Sequence, residues 1–278
     1  MDIEVRNLSF AYHGRVVLNE ISLSLRSGEF LGLLGPNGSG KTTFLKNLLG
    51  YLKPKKGSIV FSGVSDPPGA GDPARFLAFV PQRPTLAMSL PVRELVLMGR
   101  LPHIRSRWAG YDKQDYQKVE AALSALGIAD LADRDAARLS GGELQKVIIC
   151  RCLVQEGDVF LLDEVTSGLD LNHTIEIMEL IRRKADEEGK LIVAVFHDLN
   201  LASRYCDRLV FIKNGTIRCQ GSPFEVLTER VIEDIYGIRA LVEKGEDGKP
   251  VVLPRRAFDT PDPAACCASR VKPRKIAD

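Results

Sequence analysis

Nowhere in the 278-residue chain is there an apolar run of the roughly 18 residues that a membrane-spanning helix needs. Nor is there an excess of charge: 38 Lys and Arg against 36 Asp and Glu leave a formal net charge of +2. That removes the electrostatic case for nucleic acid or an anionic membrane as the main partner. The six cysteines lack both zinc spacing and a disulfide framework. Cys150 and Cys152 stand two apart in a helical stretch and face different ways, Cys206 and Cys219 lie in or near apolar runs, and Cys266-Cys267 is in the tail. Reduced thiols are the expectation. Met1-Asp2-Ile3-Glu4 opens directly into strand-like alternation, without the basic and apolar regions of a secretory leader. What remains is 45% hydrophobic and 27% charged, the composition of a globular protein able to bury one sizeable core plus a smaller lobe or tail.

Against this plain background one stretch organises the rest. Gly35-Pro36-Asn37-Gly38-Ser39-Gly40-Lys41-Thr42-Thr43 fits G-x-x-x-x-G-K-[ST], following the strand-like Phe30–Leu34 and preceding the helical Phe44–Leu49. In that setting glycines let backbone N–H groups close around phosphate oxygens, and the helix N-terminus adds its positive dipole end. Lys41 can reach the β- and γ-phosphates and the Thr42 hydroxyl can ligate Mg²⁺.

Further polar residues sit where apolar strands end. Val159-Phe160-Leu161-Leu162 runs into Asp163 and Glu164, and Leu191–Phe196 runs into His197. Wholly apolar runs of this kind are central strands of a parallel sheet, whose C-terminal ends carry ligands. There Asp163 faces a metal, Glu164 polarises a water and His197 contacts the γ-phosphate. Gln82 ends the strand Phe76–Val80 and is placed to touch Mg²⁺ or the attacking water. Ser140-Gly141-Gly142 opens another helix with a natural N-cap and bare N–H groups, a second anion-binding tip. Tyr12, at the end of the strand Ile3–Tyr12, can stack on a nucleotide base.

Elsewhere Leu18–Arg26 and Gly57–Phe61 read as strands, and Asp66–Pro73 as loop. Val92–Met98, Tyr116–Leu126, Gly141–Glu156 and Asn172–Glu188 carry helical periodicity. Gly99–Gly110 holds the only Trp among arginines and histidine, a composition suited to a protein contact. Arg208–Lys213 and Thr216–Gln220 flank an Asn-Gly turn, helical patterns run to about Tyr236, and Ala240–Leu253 suggests a hairpin around Asp247-Gly248. From about Pro254 the chain is rich in Pro, Ala and charge, and a mobile tail is expected.

Taken in order, these motifs resemble the ATP-binding subunit of an ABC transporter over roughly the first 240 residues. Tyr12 matches the base-stacking aromatic, Gly35–Thr42 the Walker A loop, Gln82 the Q-loop and Leu139–Glu143 the signature motif. Phe160–Asp163 matches the Walker B strand, Glu164 the catalytic carboxylate, Ser167–Asp170 the D-loop and His197 the switch histidine. The resemblance implies an α/β fold: a P-loop NTPase (RecA-like) core with an antiparallel β subdomain and an inserted α-helical subdomain. It places an ATPase domain at 1–240, its helical part at about 86–156, and a hairpin and tail at 241–278. Val92–His103 and His197–Ala202 are similar to the importer subfamily for iron–siderophore complexes, haem or cobalamin. Val165 replaces the proline usual after the catalytic glutamate. Glu143-Leu144-Gln145-Lys146 replaces the common glutamine- and arginine-rich sequence after the signature glycines.

Such subunits hydrolyse Mg-ATP as homodimers on the cytoplasmic face of the membrane, under two permease copies fed by a substrate-binding protein. Two ATP molecules are expected at a head-to-tail interface, each phosphate loop covered by the partner's Ser140, Gly141 and Gly142, with Asp170 alongside. Glu164, His197, Lys41 and Gln82 supply the hydrolytic groups, and Thr42, Asp163 and Gln82 the metal ligands. Arg100–Trp108 reads as a permease-facing surface. The rival is a soluble single-cassette ABC ATPase of the cluster-assembly type. Chromosome-acting relatives are excluded because only about 60 residues separate Gln82 from Ser140, too few for their coiled-coil insertion. Ribosome-acting relatives usually carry two cassettes, and there is no second Walker A loop. An inert regulatory module is disfavoured by intact Glu164 and His197.

Overall fold

The computed structural model describes residues 1–63, 73–82, 84, 86, 88–104 and 110–255. The chain begins with β1 (Asp2–Tyr12) and β2 (Arg15–Leu25), an antiparallel hairpin that β4 (Lys56–Ser62) extends into a three-stranded sheet of order β2-β1-β4. Alternation along β1 sends Ile3, Val5, Leu8 and Phe10 inward. The first strand thus follows the period-two pattern in two stretches, separated by a register shift between Val5 and Leu8 where Asn7 has positive φ. β2 starts three residues earlier than Leu18, because Val16 is exposed and gives no inward signal.

The central sheet has the order β5-β6-β7-β3-β8-β9. It comprises β3 (Phe30–Leu34), β5 (Leu77–Val80), β6 (Val159–Asp163), β7 (Leu191–Val195), β8 (Arg208–Lys213) and β9 (Thr216–Gly221). Neighbours are parallel from β5 to β8, and β9 returns antiparallel through Asn214-Gly215, both with positive φ as a tight hairpin requires. Every residue of β3, β6 and β7 is buried, which is why these strands read as continuous apolar runs. Their two faces serve different cores. Leu31, Leu33, Leu161 and Val193 pack toward the three-stranded sheet and helix α1 (Lys41–Leu48). Phe30, Leu34, Phe160, Leu162, Ile192 and Ala194 belong to the larger core shared with the other helices.

Between β5 and β6 lies a helical lobe: α2 (Val92–Leu97), a 3₁₀ segment Met98–His103, α3 (Lys113–Ala125) and α4 (Gly141–Val154). Reciprocal capping boxes start α3, through Asp112 and Asp115, and α4, through Ser140 and Glu143. Arg100 corrects the reading of Arg100–Trp108 as an outward surface. It is 5% exposed. Its Nε donates to Asp115 Oδ1 (2.7 Å), and its Nη1 donates to the Val154 carbonyl (2.6 Å) and to Glu156 Oε2 (2.9 Å). His103 Nε2 lies 2.7 Å from the Gln155 carbonyl. Arg100 and His103 therefore satisfy carbonyls at the C-terminal end of α4, where intrahelical partners run out and a cation is favoured. Arg105–Trp108 lie outside the described residues.

After β6 come α5 (Leu171–Asp186) and, following β7, α6 (Leu199–Tyr205). The chain closes with α7 (Pro223–Val226), α8 (Glu229–Tyr236) and a hairpin of β10 (Ala240–Lys244) and β11 (Pro250–Pro254). That hairpin lies on α6. The Asn200 amide accepts from Val252 N (2.7 Å) and donates to Val252 O (3.1 Å), and Ser203 Oγ donates to the Pro250 carbonyl (2.7 Å). Ala240 and Val252 join the larger core. The tail with Cys266-Cys267 lies outside the described residues, and among those described no helix is long and apolar enough to cross a membrane.

Candidate functional site

The order of the central sheet decides which loops meet. Adjacent strands β5, β6, β7 and β3 deliver, at one edge, Gln82, Glu164, His197 and the Gly35–Thr43 loop. Gly35 and Gly40 have φ of +140° and +111°. A methyl group on Gly35 would lie 2.0 Å from the Ile212 carbonyl oxygen, and one on Gly40 would lie 2.7 Å from Leu18 Cδ2. Only glycine fits either position. Gly35 N donates to the Tyr236 hydroxyl (3.1 Å), a phenol whose pKa burial pushes up to about 12. No side chain caps the N-terminus of α1, so its first N–H groups are left for an acceptor from outside the chain.

Two features of the loop fit phosphoryl oxygens. The Ser39 hydroxyl is buried without a hydrogen-bond partner. Lys41 is buried too, its ammonium donating to the Gly35 (2.7 Å) and Pro36 (3.0 Å) carbonyls. Burial lowers the Lys41 pKa, opposed by the nearby Glu164 and Asp163 carboxylates. An unpaired hydroxyl and a desolvated cation at a bare helix tip together make an anion site.

Asp163 ends β6 in the buried core, and Thr42 Oγ1 donates to its Oδ1 at 3.2 Å. Burial raises the Asp163 pKa; the Thr42 hydrogen bond opposes this and the Glu164 charge reinforces it. A bound cation would relieve that raised state. Among the described residues no group of three or more His, Cys, Asp or Glu forms a metal cage. The oxygens of Thr42, Asp163 and Gln82 instead suit a hard divalent cation that completes its shell with water and phosphate oxygens.

Glu164 follows Asp163 with φ +53°, a left-handed conformation uncommon for a residue bearing a side chain. The turn aims its carboxylate into the cleft. Its Oε1 lies 2.5 Å from His197 Nε2, and its Oε2 accepts from Gln82 Nε2. Lys41, Thr42, Gln82, Glu164 and His197 line one cavity of about 790 Å³, a volume within the range of small-molecule sites. Asn37, Gly38, Gly40 and Thr43 also line it. Tyr12 stands at its wall, 39% exposed and braced edge-on by Phe10 with ring centroids 4.8 Å apart. Arg15, Val16, Val17, Asn214 and Gly215 complete the lining, none of them a site residue expected from the sequence. The Asn-Gly dipeptide signalled a turn, but nothing in it signalled that Gly215 N donates to the Ser39 carbonyl (3.1 Å) and so props the loop.

Ser140, Gly141, Gly142 and Asp170 do not line this cavity. The Ser140 hydroxyl accepts from Glu143 N (3.3 Å), and its own N–H donates to Glu143 Oε2 (2.8 Å). Asp170 caps α5 by accepting from His173 N (2.9 Å), and its other oxygen lies 2.8 Å from His173 Nδ1. These two contacts hold the Asp170 pKa below the usual carboxylate value. Gly141 faces open space, and a methyl group on Gly142 would lie 3.5 Å from the Gly168 carbonyl oxygen. The two segments thus adjoin at a separate edge, with Leu171 largely exposed beside them.

The family described as ABC transporter matches residues 18–167. The haemin import ATP-binding protein HmuV of Pseudomonas aeruginosa is 40% identical over 261 residues, covering 91% of this chain and 100% of the relative. A siderophore transport system ATP-binding protein, YusV of Bacillus subtilis, is 38% identical over 256 residues, or 91% of this chain and 92% of the relative. The cobalamin import ATP-binding protein BtuD of Halobacterium salinarum is 39% identical over 244 residues, or 87% and 60%. Among solved structures, a metal-chelate type ABC transporter in an inward-facing conformation aligns with a TM-score of 0.77 at 27% identity, covering 91% of this chain and 96% of that one. The dimeric bacterial ABC transporter cassette MJ0796 aligns with a TM-score of 0.71 at 26% identity, covering 79% and 98%.

Proposed function

The chain belongs to the ABC transporter family, and from that premise we propose that it is the ATP-hydrolysing subunit of an importer for an iron–siderophore complex, haem or cobalamin. One observation carries the hydrolytic part: Lys41, Gln82, Glu164 and His197 converge on one cavity from adjacent turns of a single sheet. The names of the relatives support the import part and favour it over a soluble cluster-assembly ATPase. Because this subunit never touches the cargo, its own residues do not choose among the three.

The chemistry follows from the geometry. Lys41 leaves the Gly35 and Pro36 carbonyls to meet the terminal phosphates, where it offsets developing charge. Mg²⁺, held by Thr42, Asp163 and Gln82 when bound, supplies further charge neutralisation. Glu164 orients the attacking water and takes its proton, and His197 holds both Glu164 and the terminal phosphoryl group. Gln82 connects the cleft to the helical lobe that follows it in the chain. Two copies pair head to tail, so that Ser140, Gly141 and Gly142 of one close on the nucleotide of the other. Closure is favoured only while the γ-phosphate is attached, and hydrolysis therefore releases the pair. A dimeric cassette among the similar structures supports the pairing of two copies.

The pair sits peripherally at the cytoplasmic face of the membrane, against permease subunits supplied by a substrate-binding protein. A groove of about 570 Å³ lies between the central sheet and the helical lobe, lined by Tyr51, Leu77, Phe79, Met98, Leu101 and Pro102. Tyr51, Met98 and Leu101 are exposed. An apolar element of the permease fits here. Glu164→Gln tests the reading: nucleotide binding persists and a dimer accumulates in Mg-ATP on size exclusion. A monomer under those conditions overturns the paired model. Co-fractionation with a membrane permease tests the import assignment.

A further inference from the structure

Helix α4 begins with glycines that, on the paired reading, serve another copy of the chain, yet its next turn carries a buried amide bonded to the main chain just after its own Glu164. Gln145 is 3% exposed, and its Nε2 donates to the Val165 carbonyl at 3.2 Å. Val165 is the residue after Glu164, whose left-handed backbone persists only if its surroundings over-determine it. Ser167 N donates to the Glu164 carbonyl (3.0 Å), while Gln82 and His197 hold the carboxylate from strand ends. The Gln145 bond is the hold on this turn that comes from α4. A neighbour on α4 approaches the same segment: a methyl group on Gly142 would lie 3.5 Å from the Gly168 carbonyl oxygen.

We propose that Gln145 is a positioning residue that ties the signature helix to the turn aiming the same protomer's Glu164. When Gly141 and Gly142 of one protomer grip the nucleotide of its partner, the shift of α4 is passed through Gln145 to the carboxylate serving the first protomer's own nucleotide. The two hydrolytic sites are thereby coupled through one buried hydrogen bond in each chain. The proposal rests on the paired reading above, and its test separates the two.

Gln145→Met keeps the length of the side chain and removes the donor. In the full chain we expect kcat to fall about tenfold or more, with the Kd of a fluorescent ATP analogue changed by less than about twofold. We expect a Hill coefficient for ATP above unity in the native chain and a fall toward unity in the variant. Gln145→Glu places an acceptor against the carbonyl when ionised and a donor when protonated. Its activity relative to the native chain therefore rises as pH falls. A native-like kcat in Q145M, or a parallel loss of kcat, nucleotide affinity and melting temperature, overturns the tie. If Q145M loses its melting transition, a Q145E pH profile parallel to the native one overturns it instead. The double variant Q145M/E164Q still pairs in Mg-ATP. If E164Q alone stays monomeric, the paired reading has failed; if it pairs while Q145M turns over like the native chain, only the tie has.

Discussion

Gln82, Glu164, His197 and Lys41 face one cleft and already hold one another or the loop carbonyls, whereas Ser140, Gly141, Gly142 and Asp170 lie at a second edge that lines no part of that cleft. At the first edge Lys41, Gln82, Glu164 and His197 each have an internal partner that a nucleotide must displace, while the buried Ser39 hydroxyl has none. At the second, Ser140 and Asp170 are spent on capping their own helices, and Gly141 faces open space. The first edge is thus a hydrolytic site short of its lid, and the second is a lid short of a site. On the proposed reading neither works on its own chain, which is the physical argument for two copies.

Mixing two disabled chains puts the greatest strain on that contrast. Lys41→Ala loses the phosphate-facing cation, and Gly142→Asp places a like charge where a γ-phosphate must sit. Each should lower ATPase activity by about a thousandfold. Co-assembled, they form a mixed pair with one intact composite site, so activity returns. A mixture as inert as its parents would mean that both edges act within one chain.

The next largest effect falls on the lobe that carries the second edge. Asp115→Asn leaves the buried Arg100 without its closest carboxylate, and about 3 kcal/mol of stability should be lost in denaturant unfolding. Nucleotide affinity, set at the first edge, should stay unchanged. Burial opposes ionisation of Asp115, but the Arg100 and Asp112 hydrogen bonds outweigh it and hold the pKa below the usual value. Its stabilisation is present above the unfolded-state pKa and is lost as pH falls through the depressed one. Native and variant stabilities therefore converge in acid.

Tyr12→Ala is the mildest test. Losing one stacking face at the first edge should weaken nucleotide binding by about 1 kcal/mol, roughly fivefold, with kcat unchanged. A fall in kcat would place Tyr12 in the hydrolytic step.

Much of the first edge was legible because fully buried strands leave no ambiguity of register. The apolar runs ending at Leu34, Leu162 and Phe196 could only be central strands, and polar residues at their ends had to share one rim. What could not be read was pairing at a distance. Arg100 looks like a surface cation until Asp115 and Glu156 fold onto it. Val16 gives no inward signal because it lies in an exposed stretch, although it lines the cavity. Glu143 looked like a departure from the family pattern, yet it closes the capping box with Ser140. Val165 looked like another, yet its carbonyl receives Gln145.

The last hairpin has a consequence well away from its own position. Helix α6 is seven residues long, too short to persist alone, and it starts two residues after His197. Asn200 grips both main-chain groups of Val252, so the final strands splint the helix that follows the histidine in the chain. A protease nick in the exposed stretch around Glu246 would remove no atom that meets nucleotide. It should nonetheless silence turnover while ATP stays bound, much as cutting a guy rope drops a mast without touching it.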